Sequence, residues 1–260
     1  MDLQLSGKRA IVCASSQGLG LACARALARE GVEVVINGRD AAKLERVHAT
    51  LLEELPSASV RCAAADILTE QGRALLLAAC SEPDILVNNN AGPPPGRLDD
   101  WDHAAWVQAL EANMIAPLML IRAVVPGMRA RGFGRIVNIT SAMVKSPRYA
   151  MTLSTAARTG LTAACKAISK EIAVDNVTIN NLLPERIDTP RQAFMAERMM
   201  KEQSITRDQA RAQIAASIAA KRFGTPEEFG AACAFLCGSQ AGFISGQNLQ
   251  LDGGSYPGLI

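Results

Sequence analysis

Short apolar, β-rich runs alternate with longer amphipathic stretches from one end of this chain to the other. The runs that predict strands lie at residues 10–13, 32–36, 60–63, 85–88, 135–140, 177–183 and 248–251. Helical periodicity is found between them, at residues 19–30, 41–55, 70–80, 101–131 and 155–172. This alternation predicts parallel βαβ units, and strands that are apolar on both faces indicate a sheet covered by helices on each side.

The 260 residues contain no linker, repeat or low-complexity tract, so we expect one domain over residues 1–260. The predicted fold class is α/β, a single doubly wound domain with about seven parallel strands.

One segment, residues 190–221, breaks the alternation because it is helical throughout and rich in Met, Ala and charged residues. Thr206 and Gln209 have the spacing of a capping box inside it. The segment follows a strand end, where open α/β sheets bind ligands, so we predict that it is a substrate lid. A plain pair of packing helices is the alternative, and Met195, Met199 and Met200 fit either role.

Composition excludes several functional classes. The net charge of +2 gives no reason to expect nucleic-acid binding or attraction to anionic membranes. No apolar run approaches the roughly 20 residues that span a bilayer, and the N-terminal residues lack an apolar signal core. A cytoplasmic protein with no membrane partner is therefore predicted.

The seven cysteines have no paired spacing, so we predict that they are buried free thiols. His48 and His103 have no Cys or His partner at ligand spacing, so no metal site is expected.

A glycine-bearing turn follows the first predicted strand. It runs from Ala14 through Ser15, Ser16, Gln17, Gly18 and Leu19 to Gly20, and a helix comes directly after it. Glycines let a backbone approach a pyrophosphate, and a helix N-terminus offers free N–H groups and the positive end of its dipole. The turn therefore predicts a dinucleotide site.

The end of the second strand indicates which dinucleotide binds. A carboxylate at this strand end would hold the ribose 2′-hydroxyl of NAD, but the chain has Gly38 followed by Arg39. An arginine can pair with a 2′-phosphate, so NADP(H) is favoured over NAD(H). The alternative is that Arg39 is only a solvated charge, and the uncharged Gln17 supplies no second cation.

Further motifs carry a resemblance to a known family. They are Asp66 with Ile67, residues 89–92 (Asn-Asn-Ala-Gly), Asn113, Ser141, residues 222–228 and residues 246–254. Together they resemble the short-chain dehydrogenase/reductase family, and in overall pattern its 3-oxoacyl-acyl-carrier-protein reductases. The resemblance implies a Rossmann-type fold and a cofactor site that adds to the turn residues and Arg39 the residues Asp66, Ile67, Asn90, Ala91, Gly92, Arg158, Pro184, Ile187 and Thr189.

The same resemblance assigns the catalytic positions, and two of them carry unexpected residues. In the family a tyrosine lies thirteen positions after the serine that corresponds to Ser141, and a lysine lies four positions further on. This chain has Ser154 and Arg158 there, while Asn113 and Ser141 match. A serine hydroxyl is a far weaker acid than a phenol of pKa about 10, and losing a general acid costs roughly 10²- to 10⁴-fold in rate.

Three residues are candidates for a substitute proton donor. Tyr149 has a phenol that serves if its loop folds inward, and is otherwise a surface residue. Lys145 serves if it is desolvated, and is otherwise a solvated charge. Glu185 stands where the family has glycine beside the nicotinamide; it is a base or substrate ligand, or it points into water.

Two functions follow from these observations. The first is an NADP(H)-dependent oxidoreductase that interconverts a carbonyl and an alcohol, on a small carbonyl compound or acyl thioester, with a non-standard proton donor. The second is a catalytically degenerate protein of the same fold that binds NADP(H) as a sensor or scaffold. Resemblance also implies a homotetramer or homodimer, formed by the long helices 101–131 and 155–172 and by the C-terminal residues 256–260.

Overall fold

Seven parallel strands form one sheet in the computed structural model of this protein, which describes residues 2–259. The predicted domain 1–260 and the predicted C-terminal contact include Met1 and Ile260, which lie outside the described residues. The strands are β1 (Arg9–Val12), β2 (Glu33–Gly38), β3 (Val60–Ala64), β4 (Ile85–Asn88), β5 (Gly134–Ile139), β6 (Val177–Pro184) and β7 (Asn248–Leu251).

The strand order is β3-β2-β1-β4-β5-β6-β7, and all six neighbouring pairs are parallel. The order changes direction between β1 and β4. In doubly wound sheets a ligand binds outside the carboxyl ends of the strands at this reversal. The turn that contains Ala14 follows β1 and Asn89 follows β4, so the sheet brings the predicted dinucleotide turn and the Asn-Asn-Ala-Gly motif to the same crevice.

Helices cover both faces of the sheet. Within residues 2–259 they are α1 (Gly18–Arg29), α2 (Ala41–Glu54), α3 (Glu70–Ala79), α4 (His103–Leu110), α5 (Ala116–Ala130), α6 (Thr152–Ile172), α7 (Pro190–Gln203), α8 (Arg207–Ala216) and α9 (Pro226–Cys237). Leu27, Leu44 and Phe229 from α1, α2 and α9 are buried in the core of one face. Leu76 and Leu161 from α3 and α6 are buried in the core of the other. The predicted α/β, doubly wound fold class is confirmed.

The helix predicted over residues 101–131 contains a widened turn. A π-helical turn, Glu111–Ile115, joins α4 to α5, so the helix continues from His103 to Ala130 without a break. Its most apolar 18-residue window has a mean hydropathy of 1.4, which suits a membrane span by length and composition alone. The helix carries Glu111, Arg122 and Arg129, so it contains no uninterrupted apolar run of about 20 residues. Leu120 and Met128 on this helix are fully buried in the core against the sheet.

A row of asparagines crosses four strands; Asn88, Asn138 and Asn181 are buried, and Asn248, at the start of β7, is half-buried. The register aligns Asn88 with Asn138, Asn138 with Asn181, and Asn181 with Asn248. Each side-chain amide donates to the next: Asn88 to Asn138 at 2.9 Å, Asn138 to Asn181 at 2.9 Å, and Asn181 to Asn248 at 2.8 Å. Buried amides are costly unless they are hydrogen-bonded, so this row fixes the register of the strands that carry the crevice.

The segment predicted as a lid forms the helices α7 and α8. The capping box is present, because Gln209 N–H donates to the Thr206 hydroxyl at 3.3 Å and the Gln209 side chain accepts from the Thr206 N–H at 2.9 Å. The two helices share a small core of their own, formed by Ala196, Ala210 and Ile214 with Met199, Met200, Ile205 and Phe223 packed against it. Two of the three methionines therefore pack inside the segment.

One cluster away from the crevice was not expected from the sequence. The ligand atoms of Glu45, His48 and Cys62 lie within 4.8 Å of one another, because β3 brings Cys62 to helix α2. His48 is half-buried on α2 and its Nε2 lies 2.9 Å from the Val60 carbonyl oxygen. The other six cysteines are buried, and all seven are free thiols.

Candidate active site

The turn after β1 holds an alanine in a left-handed conformation. Ala14 has a φ of +44°, a region that suits glycine and costs a residue with a Cβ roughly 1–2 kcal/mol. Two asparagines hold it there: the Ala14 N–H donates to Asn37 Oδ1 at 3.3 Å, and Asn89 Nδ2 donates to the Ala14 carbonyl at 3.1 Å. The turn therefore keeps a glycine-like shape without the glycine.

Gly20 makes the closest approach within this turn. A Cβ at Gly20 would lie 2.4 Å from the Ala14 carbonyl oxygen and 2.9 Å from Asn89 Nδ2, so only glycine fits. The N-cap residue of α1, Gln17, makes no side-chain capping bond, which leaves the first N–H groups of the helix without a side-chain partner. A tight turn that leads into open N–H groups is the arrangement that accommodates a pyrophosphate.

Polar and basic side chains gather at the end of β2. A Cβ at Gly38 would lie 3.3 Å from Ser16 Cβ, so the position has little room for an acidic side chain. Lys43 on α2 donates from Nζ to Gln17 Oε1, which places at the turn a second cation that could not be predicted from the sequence. Lys43 carried no motif spacing, and only the packing of α2 against the turn brings it here.

Asp66 and Ile67 lie after β3 at the far side of the crevice. Ile67 is buried, and Asp66 Oδ1 accepts from the Leu68 N–H at 3.1 Å. Asn37 ties this region to the turn, because its Nδ2 donates to the Ala65 carbonyl at 3.0 Å. The geometry offers a partly buried carboxylate beside an apolar side chain, a suitable wall for a purine.

The π-helical turn positions Asn113. The residue is buried, and its Nδ2 lies 3.4 Å from the carbonyl oxygens of Ala91 and Ala109. Single π turns inside α-helices occur frequently at functional sites, and this one turns Asn113 toward the loop after β4. Asn90 reaches the same turn from the other side, with Nδ2 donating to the Ala112 carbonyl at 3.1 Å.

Arg158 is buried at the centre of the crevice, and most of its N–H groups donate hydrogen bonds to other residues of the protein. Its Nη1 donates to the carbonyls of Ile139 at 2.8 Å and Thr140 at 2.7 Å, and its Nη2 to the Asn90 carbonyl at 3.3 Å. Its Nε donates to Ser154 Oγ at 3.2 Å. A guanidinium has five N–H donors, so these four bonds leave one, on Nη2, for a ligand.

Burial lowers the pKa of Arg158 to about 10, and the nearby charge of Arg191 is a smaller cause of the same shift. Arg158 therefore stays positive near neutral pH. The guanidinium lies close to Gly92, where an added Cβ would be 3.3 Å from Arg158 Nη2 and 3.4 Å from Ser154 Oγ. Because Ser154 accepts its bond from the guanidinium, its own hydrogen remains available to an oxygen in the crevice.

Ser141 follows the end of β5 and caps the short turn that comes next. Its Oγ accepts from the Met143 N–H at 3.2 Å, which leaves the hydroxyl hydrogen free to donate. Arg158 links it to Ser154, because the guanidinium bonds both Ser154 and Thr140, the residue before Ser141. The guanidinium therefore bonds Ser154 directly and bonds the backbone next to Ser141.

On the β6 side, Pro184 ends the strand and Ile187 is buried in a one-residue bridge with Gly224. Thr189 precedes α7, and its Oγ1 donates to the Ile187 carbonyl at 3.3 Å. A Cβ at Gly18 would lie 3.9 Å from Thr189 Cβ. The turn after β1 and the start of the proposed lid thus form opposite walls of the crevice.

Comparisons with known proteins agree with this arrangement. Residues 13–256 match the family model described as enoyl-(acyl carrier protein) reductase. The NADPH-dependent reductase BacG of Bacillus subtilis (strain 168) is 34% identical over 98% of this chain and 100% of its own length. Dehydrogenase/reductase SDR family member 4 of Bos taurus is 33% identical over 98% of this chain and 89% of its own. The chain belongs to the short-chain dehydrogenase/reductase family. The crystal structure of L-sorbose reductase from Gluconobacter frateurii, complexed with NADPH and L-sorbose, superposes with a TM-score of 0.94 at 29% identity, with both chains fully covered.

Tyr149, the candidate with the acid chemistry of this family, lies at the rim of the crevice. Its side chain is 64% exposed, and its hydroxyl accepts from the Leu98 N–H at 3.3 Å. The phenol is thus hydrogen-bonded to Leu98 rather than to Ser154. Its role as proton donor stays a prediction.

Lys145 and Glu185 are also engaged elsewhere. Lys145 Nζ lies 3.4 Å from Gln250 Oε1 on β7. Glu185 is largely buried and accepts from Arg148 Nη2 at 2.7 Å, so it neither points into water nor contacts the two serines. Neither residue is hydrogen-bonded to Ser154 or Arg158, and both stay candidates only.

Proposed function

We propose that this protein is an NADP(H)-dependent oxidoreductase that interconverts a carbonyl and an alcohol. The observation that carries the proposal is the convergence of the dinucleotide turn, Asn113, Ser141 and the Ser154–Arg158 pair on one crevice. BacG is named as NADPH-dependent, and L-sorbose reductase was crystallised with NADPH, which supports the same cofactor here.

The residues present fit the cofactor. The close approach at Gly20 and the uncapped start of α1 suit a pyrophosphate, and Ser16, Arg39 and Lys43 suit a 2′-phosphate. Ala14, Ser15, Leu19, Asp66, Ile67, Asn90, Ala91, Gly92, Pro184, Ile187 and Thr189 complete the proposed cofactor site. When bound, NADPH supplies a hydride for the carbonyl carbon.

In our proposal the chain's own residues stabilise the oxygen that gains negative charge. The hydroxyls of Ser141 and Ser154 donate to it, and the positive charge of Arg158 offsets it from a buried position where electrostatic interactions are strong. Arg158 passes no proton, so Ser154 gives its proton to the alkoxide and regains one from solvent. Carbonyl, NADPH and one proton thereby become alcohol and NADP⁺.

The preference for NADP(H) gives a first expected result. Arg39→Gln should raise the Kd of NADPH roughly 10- to 100-fold and leave the Kd of NADH nearly unchanged, because a charge-assisted bond contributes about 1.5–3 kcal/mol. Fluorescence titration of both cofactors measures the two constants, and Arg61→Gln, which removes an exposed arginine on β3, is the matched control. Equal losses for NADPH and NADH would show that Arg39 does not contact the 2′-phosphate.

The reaction itself is tested by following NADPH oxidation with a panel of ketones, 2- and 3-oxo acids and 3-oxoacyl thioesters. We expect turnover that falls with Ser154→Ala and persists in Tyr149→Phe. Loss of activity in Tyr149→Phe alone would assign the proton donor to Tyr149 and overturn the role of Ser154. Tight NADPH binding without turnover on any substrate would favour a sensor or scaffold instead.

We further propose that α7 and α8 act as a substrate lid within one domain, and that the protein is a cytoplasmic homotetramer or homodimer. Val107 and Ile115 on the long helix expose apolar side chains at 48% and 36%, which suits burial against a second copy. Size-exclusion chromatography with light scattering measures the oligomeric state.

A further inference from the structure

Arginines outnumber acids on the lid side of the crevice. Arg148 and Arg186 share the carboxylate of Glu185, and Arg158 lies near Arg191. The other acid of residues 185–191, Asp188, is paired with Arg211. Glu185 lies 2.7 Å from Arg148 and 4.0 Å from Arg186, so its charge is already shared by two cations. Arg158 is buried and Arg186 and Arg191 are half-buried, so part of this positive charge is removed from water. This burial lowers the pKa of all three arginines.

Arg191 reaches across the crevice without an acidic partner. It is the second residue of α7, and its half-buried side chain extends to the loop after β4, where Nη2 donates to the Pro93 carbonyl at 3.4 Å. Its guanidinium carbon lies 5.5 Å from the centre of the Phe194 ring. Among residues 2–259, no carboxylate oxygen lies within 4 Å of its nitrogens, and four of its five donors are free.

The charge of Arg191 lies close to the reacting centre. Arg158 and Arg191 donate to the same short loop, through the carbonyls of Asn90 and Pro93. Two like charges in a partly desolvated crevice repel each other, and an anion between the loop and α7 would offset that repulsion. A planar guanidinium fork with free donors matches a carboxylate, which it can bind with two parallel hydrogen bonds.

We propose that Arg191 binds a carboxylate of the substrate, so that the physiological substrate is an oxo acid or hydroxy acid rather than a neutral ketone. This inference rests on the proposed function, because it assigns the substrate class of the same crevice. Arg191 stands two residues after Thr189 at the start of the proposed lid, so an acid that bridges it to the serines would also hold the lid closed.

The experiment compares matched pairs of 2-oxo and 3-oxo acids with their methyl esters. We expect kcat/KM for the acid to exceed that for its ester about 10-fold or more, mainly through KM, because one charge-assisted bidentate contact is lost in the ester. Arg191→Gln should bring the ratio close to one. Arg198→Gln on the same helix removes an exposed arginine paired with Glu202 and should leave the ratio unchanged.

Two further measurements separate the possible failures. Titration of NADPH into Arg191→Gln should give the wild-type Kd; a weakened Kd with an unchanged acid-to-ester ratio would assign Arg191 to the cofactor's pyrophosphate and overturn the proposal. If no compound oxidises NADPH, the proposed function fails. Calorimetry with the NADP⁺-loaded protein then tests the inference separately. If the wild type binds the acids and Arg191→Gln does not, the inference is supported. If the wild type binds none of the acids, the inference is overturned.

Discussion

Gly20→Ala is expected to weaken NADPH binding by about 100-fold or more. The added methyl would lie 2.4 Å from the Ala14 carbonyl oxygen and 2.9 Å from Asn89 Nδ2, so the backbone of the turn has to open. Opening moves the turn's N–H groups away from the pyrophosphate, and the loss of two such charge-assisted bonds corresponds to about 3–6 kcal/mol. Fluorescence titration of NADPH measures the change in Kd.

The matched control for this variant is Gly127→Ala. Gly127 lies within helix α5, and an added Cβ would approach only the flexible end of Arg131 at 3.1 Å. Alanine favours a helix over glycine by about 1 kcal/mol, so this variant should fold and bind NADPH normally. A wild-type Kd for Gly20→Ala would contradict the assignment of the turn as the pyrophosphate site.

Arg158→Met is expected to lower the free energy of unfolding by about 3–5 kcal/mol, because each buried acceptor left without its donor costs about 1–3 kcal/mol. The substitution leaves the carbonyls of Ile139, Thr140 and Asn90 without their donor in a buried position. This large loss is expected because the guanidinium joins the end of β5 to the loop after β4. Urea denaturation followed by circular dichroism measures the difference.

Two comparison variants make this result interpretable. Arg122→Met changes an exposed arginine on α5 and should shift stability by less than about 0.5 kcal/mol. Arg158→Lys keeps the charge but loses the fork that serves several carbonyls, so it should fall between the two. If Arg158→Met is as stable as the wild type, the guanidinium does not hold the crevice together.

The strands of the sheet can be predicted from the sequence because each one depends on the residues within it. Strands at residues 85–88 and 248–251 and the start of α1 follow from apolar runs and a glycine-bearing turn. The asparagine row could not be predicted, since the alignment of Asn88 with Asn138 and Asn181 depends on the register between strands that are far apart in the sequence. The widened turn at Asn113 was missed for a similar reason, because its residues have ordinary helical periodicity.

The site could be predicted only in part. Counting from Ser141 locates Ser154 and Arg158, and the structure joins them through one hydrogen bond. The contacts of Tyr149 could not be predicted, because they depend on how its loop packs against Leu98. The partner of Glu185 is equally non-local, since Arg148 reaches it from another loop.

Transfer of deuterium from NADPH labelled at both C4 hydrogens tests the central claim most directly. Mass spectrometry of the alcohol formed from an oxo acid should show one deuterium at the former carbonyl carbon, and the yield should fall in Ser154→Ala. A protein that binds the labelled NADPH tightly but transfers no deuterium to any carbonyl compound in the panel would contradict the account.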